Sequence, residues 1–265
     1  MALIDITISS QVLEREVDFL AVLPEDTKGM IGMGGSKSRV CPTLYLLHGM
    51  SDDHTIWLRR TSIERYAAEK GLAVIMPCAD LSFYTDAKLG DAFWTFITRE
   101  LPATCRALFP QLSPRREDTF VAGLSMGGYG ALKCGLRGYD TFSCAAGLSS
   151  VADVASLAGD KKSLRNKAFW QDIFGDLDGI AGSFDDLFAA ADDYAAGGQK
   201  PPVKFYMWCG TEDFLYAANV KLKNHLLSVG LDLTYEESPG IHSWMYWDQK
   251  IQTVLNWLPL GKEEQ

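Results

Sequence analysis

The sequence predicts an α/β protein in which a mainly parallel sheet is covered by helices on both faces, and three observations lead there. Short apolar runs such as Thr43–Leu47, Leu72–Met76 and Val203–Cys209 recur along the chain. Stretches of helical period alternate with them, each closed by a glycine or proline, as Ser62–Lys70 is by Gly71. The central strands lack a polar side, which suits strands buried on both faces.

Each element follows in order. Leu3–Ser9 and Glu14–Leu23 alternate in period two and predict an antiparallel pair. Thr43–Leu47 is a short buried strand, Ser62–Lys70 a helix and Leu72–Met76 the next strand. Trp94–Phe109 reads as one helix, entered near Asp91 and ended by Pro110. Asp118–Ala122 is a strand, Met126–Leu136 a helix and Phe142–Gly147 a strand. Val203–Cys209 is strongly strand-like and leads to a helix over Leu215–Val229 that stops at Gly230. Leu231–Glu236 is the last strand and Tyr246–Leu258 the last helix. Between Ser149 and Lys200 the rhythm breaks, with no strand, many Asp, and aromatics at Phe169, Trp170, Phe174, Phe184 and Phe188. An αβ connection takes about two to six residues, so the segment 150–200 is expected to be a helical cap inserted over one end of the sheet. The whole of 1–265 then forms a single domain.

Composition narrows the function. Apolar residues are 47% of 265 and charged residues 22%, enough for a sizeable core. The 25 basic and 34 acidic residues leave a net charge of −9, the wrong sign for a nucleic-acid partner or an anionic membrane surface. No apolar run approaches the roughly 20 residues of a spanning helix. The opening Met1-Ala2-Leu3-Ile4-Asp5 has neither a charged n-region nor an apolar h-region, so no secretory signal is expected. Six scattered cysteines without a Cys-x-x-Cys pair read as buried free thiols. A cytoplasmic protein without cofactor or metal is expected; a homo-oligomer is compatible with the sequence but not specified by it.

The chemistry concentrates at Thr119-Phe-Val-Ala-Gly123-Leu-Ser125-Met-Gly127-Gly128. A Gly-x-Ser-x-Gly pentapeptide arises by chance in about one chain in ten of this length. Here an apolar strand runs straight in and a small-residue helix straight out, the context of a nucleophile elbow. Its tight turn strains the serine backbone, and small neighbours leave room for it. A serine hydroxyl needs a base, and the base needs an orienting acid. In hydrolases with this elbow the chain order is Ser, acid, His, which leaves His225 and His242 of the four histidines. His225 sits mid-helix beside Lys221 and Lys223 and reads as a solvated face. His242 occupies a loop after the last strand, where a base can reach the elbow. Two carboxylates, Glu212 and Asp213, follow the preceding strand; Asp213 has the shorter, less mobile side chain, and Glu212 stays a competitor. Asp248 lies beyond His242 and breaks the order.

Leu46-Leu47-His48-Gly49-Met50 ends a buried strand in a glycine turn, so the backbone N–H groups of Met50 and Met126 are expected to form an oxyanion hole. His48 then reads as a loop-fixing residue. Gly29–Ser38 imitates a phosphate loop but carries Ser36 where glycine must precede Lys37, so a hairpin loop is expected. The six-residue spacing of His48 and His54 argues against a zinc pair. The cap aromatics, together with Trp57 and Trp244, are expected to wall the substrate pocket.

With these residues placed, the chain resembles the tributyrin esterase branch of the esterase D-like α/β-hydrolases. The resemblance rests on His48-Gly-Met-Ser-Asp-Asp-His-Thr-Ile-Trp57, Ile63-Glu-Arg-Tyr-Ala67, Ser82-Phe-Tyr-Thr-Asp86, and the stretch Arg99-Glu-Leu-Pro102. The elbow Gly123–Gly130, Cys209-Gly-Thr-Glu-Asp213 and His242-Ser-Trp244 with Trp247-Asp248 complete it, and the cap matches least. It implies an α/β-hydrolase fold and a serine carboxylesterase for short-chain acyl esters, with Ser125, Asp213 and His242 as the triad. Feruloyl and cinnamoyl esterases, acetyl esterases and S-formylglutathione hydrolases share the pattern, and acyltransferases share the fold.

Overall fold

The computed structural model describes residues 1–26, 31, 40–160, 165–198 and 200–260. Eight strands form one sheet: β1 (Ala2–Ser10), β2 (Arg15–Leu23), β3 (Thr43–Leu47), β4 (Ala73–Pro77), β5 (Thr119–Leu124), β6 (Cys144–Leu148), β7 (Lys204–Gly210) and β8 (Leu233–Ser238). Their spatial order is β1-β2-β4-β3-β5-β6-β7-β8. The first two strands pair antiparallel with each other, as does β2 with β4, and every pairing from β4 to β8 is parallel.

The apolar runs of β3 to β6 are buried along their whole length because both faces of the sheet are covered. Alternate residues feed two cores. Ile75, Tyr45, Val121, Ala145 and Phe205 stand opposite one another across five strands and belong to one core. Leu46, Ala122, Ala146 and Tyr206 form the equivalent row of the other. Helices α1 (Ile56–Arg60), α2 (Ile63–Lys70) and α10 (Trp244–Trp257) cover the second core through Trp57, Ile63, Ile251 and Val254. The first core is closed by α3 (Phe93–Thr95), α4 (Leu101–Leu108), α5 (Met126–Arg137) and α9 (Tyr216–Ser228).

The structure departs from the sequence expectation in two places. The single helix expected over Trp94–Phe109 is divided into α3, a π-helical turn over Phe96–Glu100, and α4. Pro102 lies at its centre and cannot donate to the carbonyl one turn back, so the ladder widens where that bond is missing. The segment 150–200 holds α6 (Val154–Gly159), α7 (Lys167–Phe174) and α8 (Leu187–Ala196). Its abundant acids have a local purpose: Asp153 and Asp186, with Asn166, accept first-turn amides of these three helices. Of the three, α8 packs beside α5 and α9 in the helical layer rather than over the strand ends. The glycine-rich stretch Gly29–Ser38 lies, except for Ile31, outside the described residues.

Candidate active site

Every residue singled out for chemistry follows the carboxyl end of a parallel strand, where ligand sites of open α/β sheets form. Since β3 and β5 are neighbours, with Leu47 opposite Gly123, the turns that leave them emerge side by side. Ser125 follows β5 directly and holds φ 54°, ψ −116°, a strained conformation for a residue with a Cβ. Its amide donates to Leu148 O at 2.9 Å, and its carbonyl accepts from Tyr129 at 3.0 Å and Val151 at 3.0 Å. These bonds hold the strain. The turn also needs two glycines: a Cβ on Gly123 would stand 2.3 Å from Gly127 O, and one on Gly127 2.4 Å from Leu47 O.

The structure brings Ser125, His242 and Asp213 together. His242 Nε2 stands 3.1 Å from Ser125 Oγ and its Nδ1 2.9 Å from Asp213 Oδ2. The carboxylate can only accept from Nδ1–H, which leaves Nε2 as acceptor for the serine hydroxyl. Asp213 is buried, and burial alone would raise its pKa. The hydrogen bond and charge of His242, the Leu215 amide and the Ser149 hydroxyl outweigh that and hold the carboxyl below its usual range. Glu212, the rival acid, is turned away. Its carboxylate accepts the Gly240 N–H at 2.5 Å while its own amide donates to Gly240 O at 3.1 Å, tying the His242 loop to the end of β7. Asp248 is engaged elsewhere, by Tyr66 Oη at 3.0 Å.

The turn after β3 is set by His48, which is buried. Its Nε2 accepts the Ala79 amide at 2.9 Å, so Nδ1 carries the proton and donates to Gly49 O at 2.8 Å. Burial pushes the His48 pKa down, which keeps this neutral tautomer. Asp52 N–H also donates to Gly49 O, at 3.3 Å. The Gly49–Met50 peptide is trans, so anchoring its carbonyl aims the Met50 N–H the opposite way. Met126 opens α5, where its N–H has no intrahelical acceptor.

Two cavities meet at Ser125 and Met50. One, of about 440 Å³, is polar and is lined by Asp52, Arg60, His242, Ser243 and Trp244 among others. The other, of about 260 Å³, is apolar and is lined by Phe83, Met126, Val151, Leu157, Trp170 and Phe214 among others. Of the two tryptophans expected at the substrate pocket, Trp244 borders the polar cavity and Trp57 borders neither. The Trp57 ring is buried behind Trp244, edge-on at 5.0 Å, and its Nε1 donates to Leu47 O at 3.0 Å, so it supports the wall from behind. His225, read as a solvated residue, instead packs edge-on against Phe188 of α8 at 5.3 Å. Of the cap aromatics, Trp170 closes the apolar cavity; Phe184 lies over Trp94, away from it. Sequence reasoning missed Phe83, Phe214 and Asp52. Phe83 carries φ 51° without being glycine, which no local pattern announces.

Among the described residues no three His, Cys, Asp or Glu side chains converge as metal ligands would, and no helix is long and apolar enough to cross a membrane.

A strained serine between strand and helix, facing a histidine that a buried carboxylate orients, on a parallel sheet of this order, defines a serine hydrolase of the α/β-hydrolase fold. More particularly, the chain belongs to the Esterase family, whose model matches residues 10–258. It is 35% identical over 263 residues to the acetyl esterase of Caldicellulosiruptor saccharolyticus, covering 97% of this chain and 98% of that protein. It is also similar to the fluorophosphonate-binding serine hydrolase F of Staphylococcus aureus, solved with substrate bound. There the TM-score is 0.87 and identity 34%, with 98% of this chain and 99% of that one covered. The S-formylglutathione hydrolase of the same organism, solved as apoenzyme, aligns with TM-score 0.84 and 35% identity over 97% and 98% of the two chains. The protein is a carboxylic ester hydrolase of the serine type.

Proposed function

We propose that the protein hydrolyses short-chain acyl esters through an acyl-enzyme on Ser125. The observation that carries this is the relay from Ser125 Oγ to His242 at 3.1 Å and on to Asp213 at 2.9 Å. His242 Nε2 takes the serine proton as Oγ attacks the ester carbonyl, and the Met50 and Met126 amides stabilise the oxyanion. The same Nε2 then protonates the departing oxygen, and in deacylation it activates water. Asp213 fixes the tautomer and stabilises the imidazolium.

The leaving oxygen must lie beside His242, which lines the polar cavity and not the apolar one. The acyl chain therefore enters the apolar cavity, whose volume of about 260 Å³ and aromatic lining by Trp170 and Phe83 favour acetyl to butyryl groups. The segment 150–200 acts as the cap of this single domain by supplying Val151, Leu157 and Trp170 to that lining. The substrate is a small ester, and the net charge of −9 supports neither nucleic acid nor an anionic membrane as partner. A cytoplasmic location is supported by all six cysteines being free thiols.

The test is a kcat/KM panel over acetyl, butyryl and octanoyl nitrophenyl esters, methyl ferulate and S-formylglutathione, with Ser125→Ala as blank. The reading expects a maximum at acetyl or butyryl and a fall of at least about 10⁴-fold in the blank. A blank that keeps near-normal rates contradicts it. Preference for the thioester, in line with the name of the Staphylococcus aureus hydrolase above, would move the substrate without moving the mechanism.

A further inference from the structure

Three successive carbonyls in the turn that leaves β3 each accept a hydrogen bond from a side chain. Trp57 Nε1 donates to Leu47 O at 3.0 Å, Tyr84 Oη to His48 O at 2.9 Å, and His48 Nδ1 to Gly49 O at 2.8 Å. A peptide unit is planar, so a bond to its oxygen also sets the direction of its N–H. The series ends on the Gly49–Met50 unit, which carries the Met50 N–H. Gly49 joins the second unit to the third and has no Cβ to restrict its dihedrals. The bonds to the carbonyls, rather than backbone sterics, therefore hold the turn.

Tyr84 belongs to Ser82-Phe-Tyr-Thr-Asp86, a stretch beyond β4 that the hydrolytic steps leave unused. Phe83 and Tyr84 both hold φ 51°, a left-handed conformation that costs any residue with a Cβ. Ser82 Oγ accepts the Tyr84 N–H at 3.0 Å, and the buried Lys133 donates to Tyr84 O at 3.3 Å and to Thr85 Oγ1 at 2.9 Å. These bonds maintain the strain, and the strained turn places Phe83 on the apolar cavity while Tyr84 Oη meets His48 O. The same segment grips His48 a second time, through the Ala79 N–H to Nε2 at 2.9 Å. Tyr84 is fully buried and lines neither cavity. Burial pushes its pKa up, so the hydroxyl keeps the proton that it donates.

We propose that Tyr84 is a positioning residue of the oxyanion hole: its hydroxyl fixes the His48–Gly49 peptide and, through it, the Met50 N–H that receives the developing charge. This rests on the serine-esterase reading above and on the role given there to Met50. Tyr84 touches no substrate and acts only through the turn. Both tetrahedral steps, acylation and deacylation, place charge on the same oxygen, so a loosened donor slows whichever of them limits turnover.

The test is Tyr84→Phe, assayed on butyryl nitrophenyl ester with active sites counted by complete fluorophosphonate labelling. Inhibition by butyl trifluoromethyl ketone is measured beside it, because the adduct of that ketone with serine carries an oxyanion. In the variant kcat per labelled site should fall about tenfold and the ketone Ki should rise about tenfold, while KM stays within about twofold. A merely structural role would reduce the number of labelled sites and leave kcat per site and the ketone Ki unchanged, and that result would overturn the proposal. A rise in KM alone would overturn it as well. Gly130→Ala is the second variant should Tyr84→Phe fold poorly. Its Cβ would stand 2.5 Å from Tyr84 Cδ2, so the ring must shift, and the same split between kcat and KM is expected. Wild-type protein that does not label removes the esterase reading beneath, whereas normal labelling with unmoved kcat and Ki in both variants removes only the role of Tyr84.

Discussion

At the strand ends the reacting serine is fixed by main-chain bonds, while the segment between β6 and β7 adds a buried ion pair to its own main-chain bonds. Ser125 is fixed by main-chain bonds to Leu148, Tyr129 and Val151, and the loop carrying His242 by a pair of bonds between Glu212 and Gly240. The segment is held by main-chain bonds, Lys88 N–H to Ile173 O at 2.9 Å and Leu89 N–H to Asp172 O at 2.8 Å, and by side chains. Among the latter is the ion pair between Asp185 and Lys133, a fully buried lysine on α5 that also donates to Thr85 Oγ1 at 2.9 Å and lies over the Trp94 ring at 4.8 Å. Chemistry is thus placed by backbone geometry that tolerates little change. The apolar cavity is lined mainly by packed side chains, though one of its residues, Val151, also donates its N–H to Ser125 O at 3.0 Å.

The largest test of that contrast lies at the strand ends. Asp213→Asn should lower kcat by about 10⁴-fold, because the amide favours the wrong imidazole tautomer. Glu212→Gln keeps a carbonyl oxygen for the Gly240 amide and should cost less than about tenfold. A reversed ranking in steady-state assays would transfer the acid role to Glu212.

At the ion pair the effect falls on stability. Asp185→Asn leaves the Lys133 charge buried without its counter-ion, and unfolding free energy should drop by about 3–5 kcal/mol in denaturant titrations. Burial pushes the Lys133 pKa down while Asp185 opposes it, so the pair acts as a unit. Replacing both, as Lys133→Met with Asp185→Leu, should recover most of the loss. If the single variant is as stable as wild type, the segment is not held by this pair.

Trp170→Ala acts at the junction of the two regions. Opening the apolar cavity should raise the octanoyl-to-butyryl ratio of kcat/KM several-fold, with a stability cost of about 3 kcal/mol. An unchanged chain-length profile would place the acyl group elsewhere.

The smallest effect is the pH dependence of Asp52. Its folded pKa, raised by burial to about 6, lies above the unfolded 3.8, so the folded state binds more protons between those values and stability falls as pH rises through that window. Asp52→Asn removes the burden and should raise Tm at pH 7 while changing it little at pH 4. Equal shifts at both pH values would break the assignment.

The same contrast explains what the sequence made legible. The elbow, the order of Ser125, Asp213 and His242, and the strands that carry them are local patterns tied to main-chain geometry, and the structure brings those three side chains together. Asp213 could be favoured over Glu212 from side-chain length, but the Gly240 amide that engages Glu212 comes from another loop. Trp57 looked like pocket wall because it neighbours the motif; only the fold reveals Leu47 O waiting for its indole N–H. Pro102 inside an apparent helix was a readable warning, and the π turn is its consequence. Lys133 gave no warning, since a lone lysine in a helix reads as solvent-facing until Asp185 and Thr85 close around it.

The central claim is that Ser125 is the nucleophile, and peptide-mapped mass spectrometry of fluorophosphonate-treated protein tests it most directly. The account predicts one adduct per chain, on the peptide carrying Ser125, with esterase activity lost in proportion to labelling and no adduct in Ser125→Ala. Loss of activity with the adduct on another residue, or full activity in protein labelled at Ser125, would contradict it.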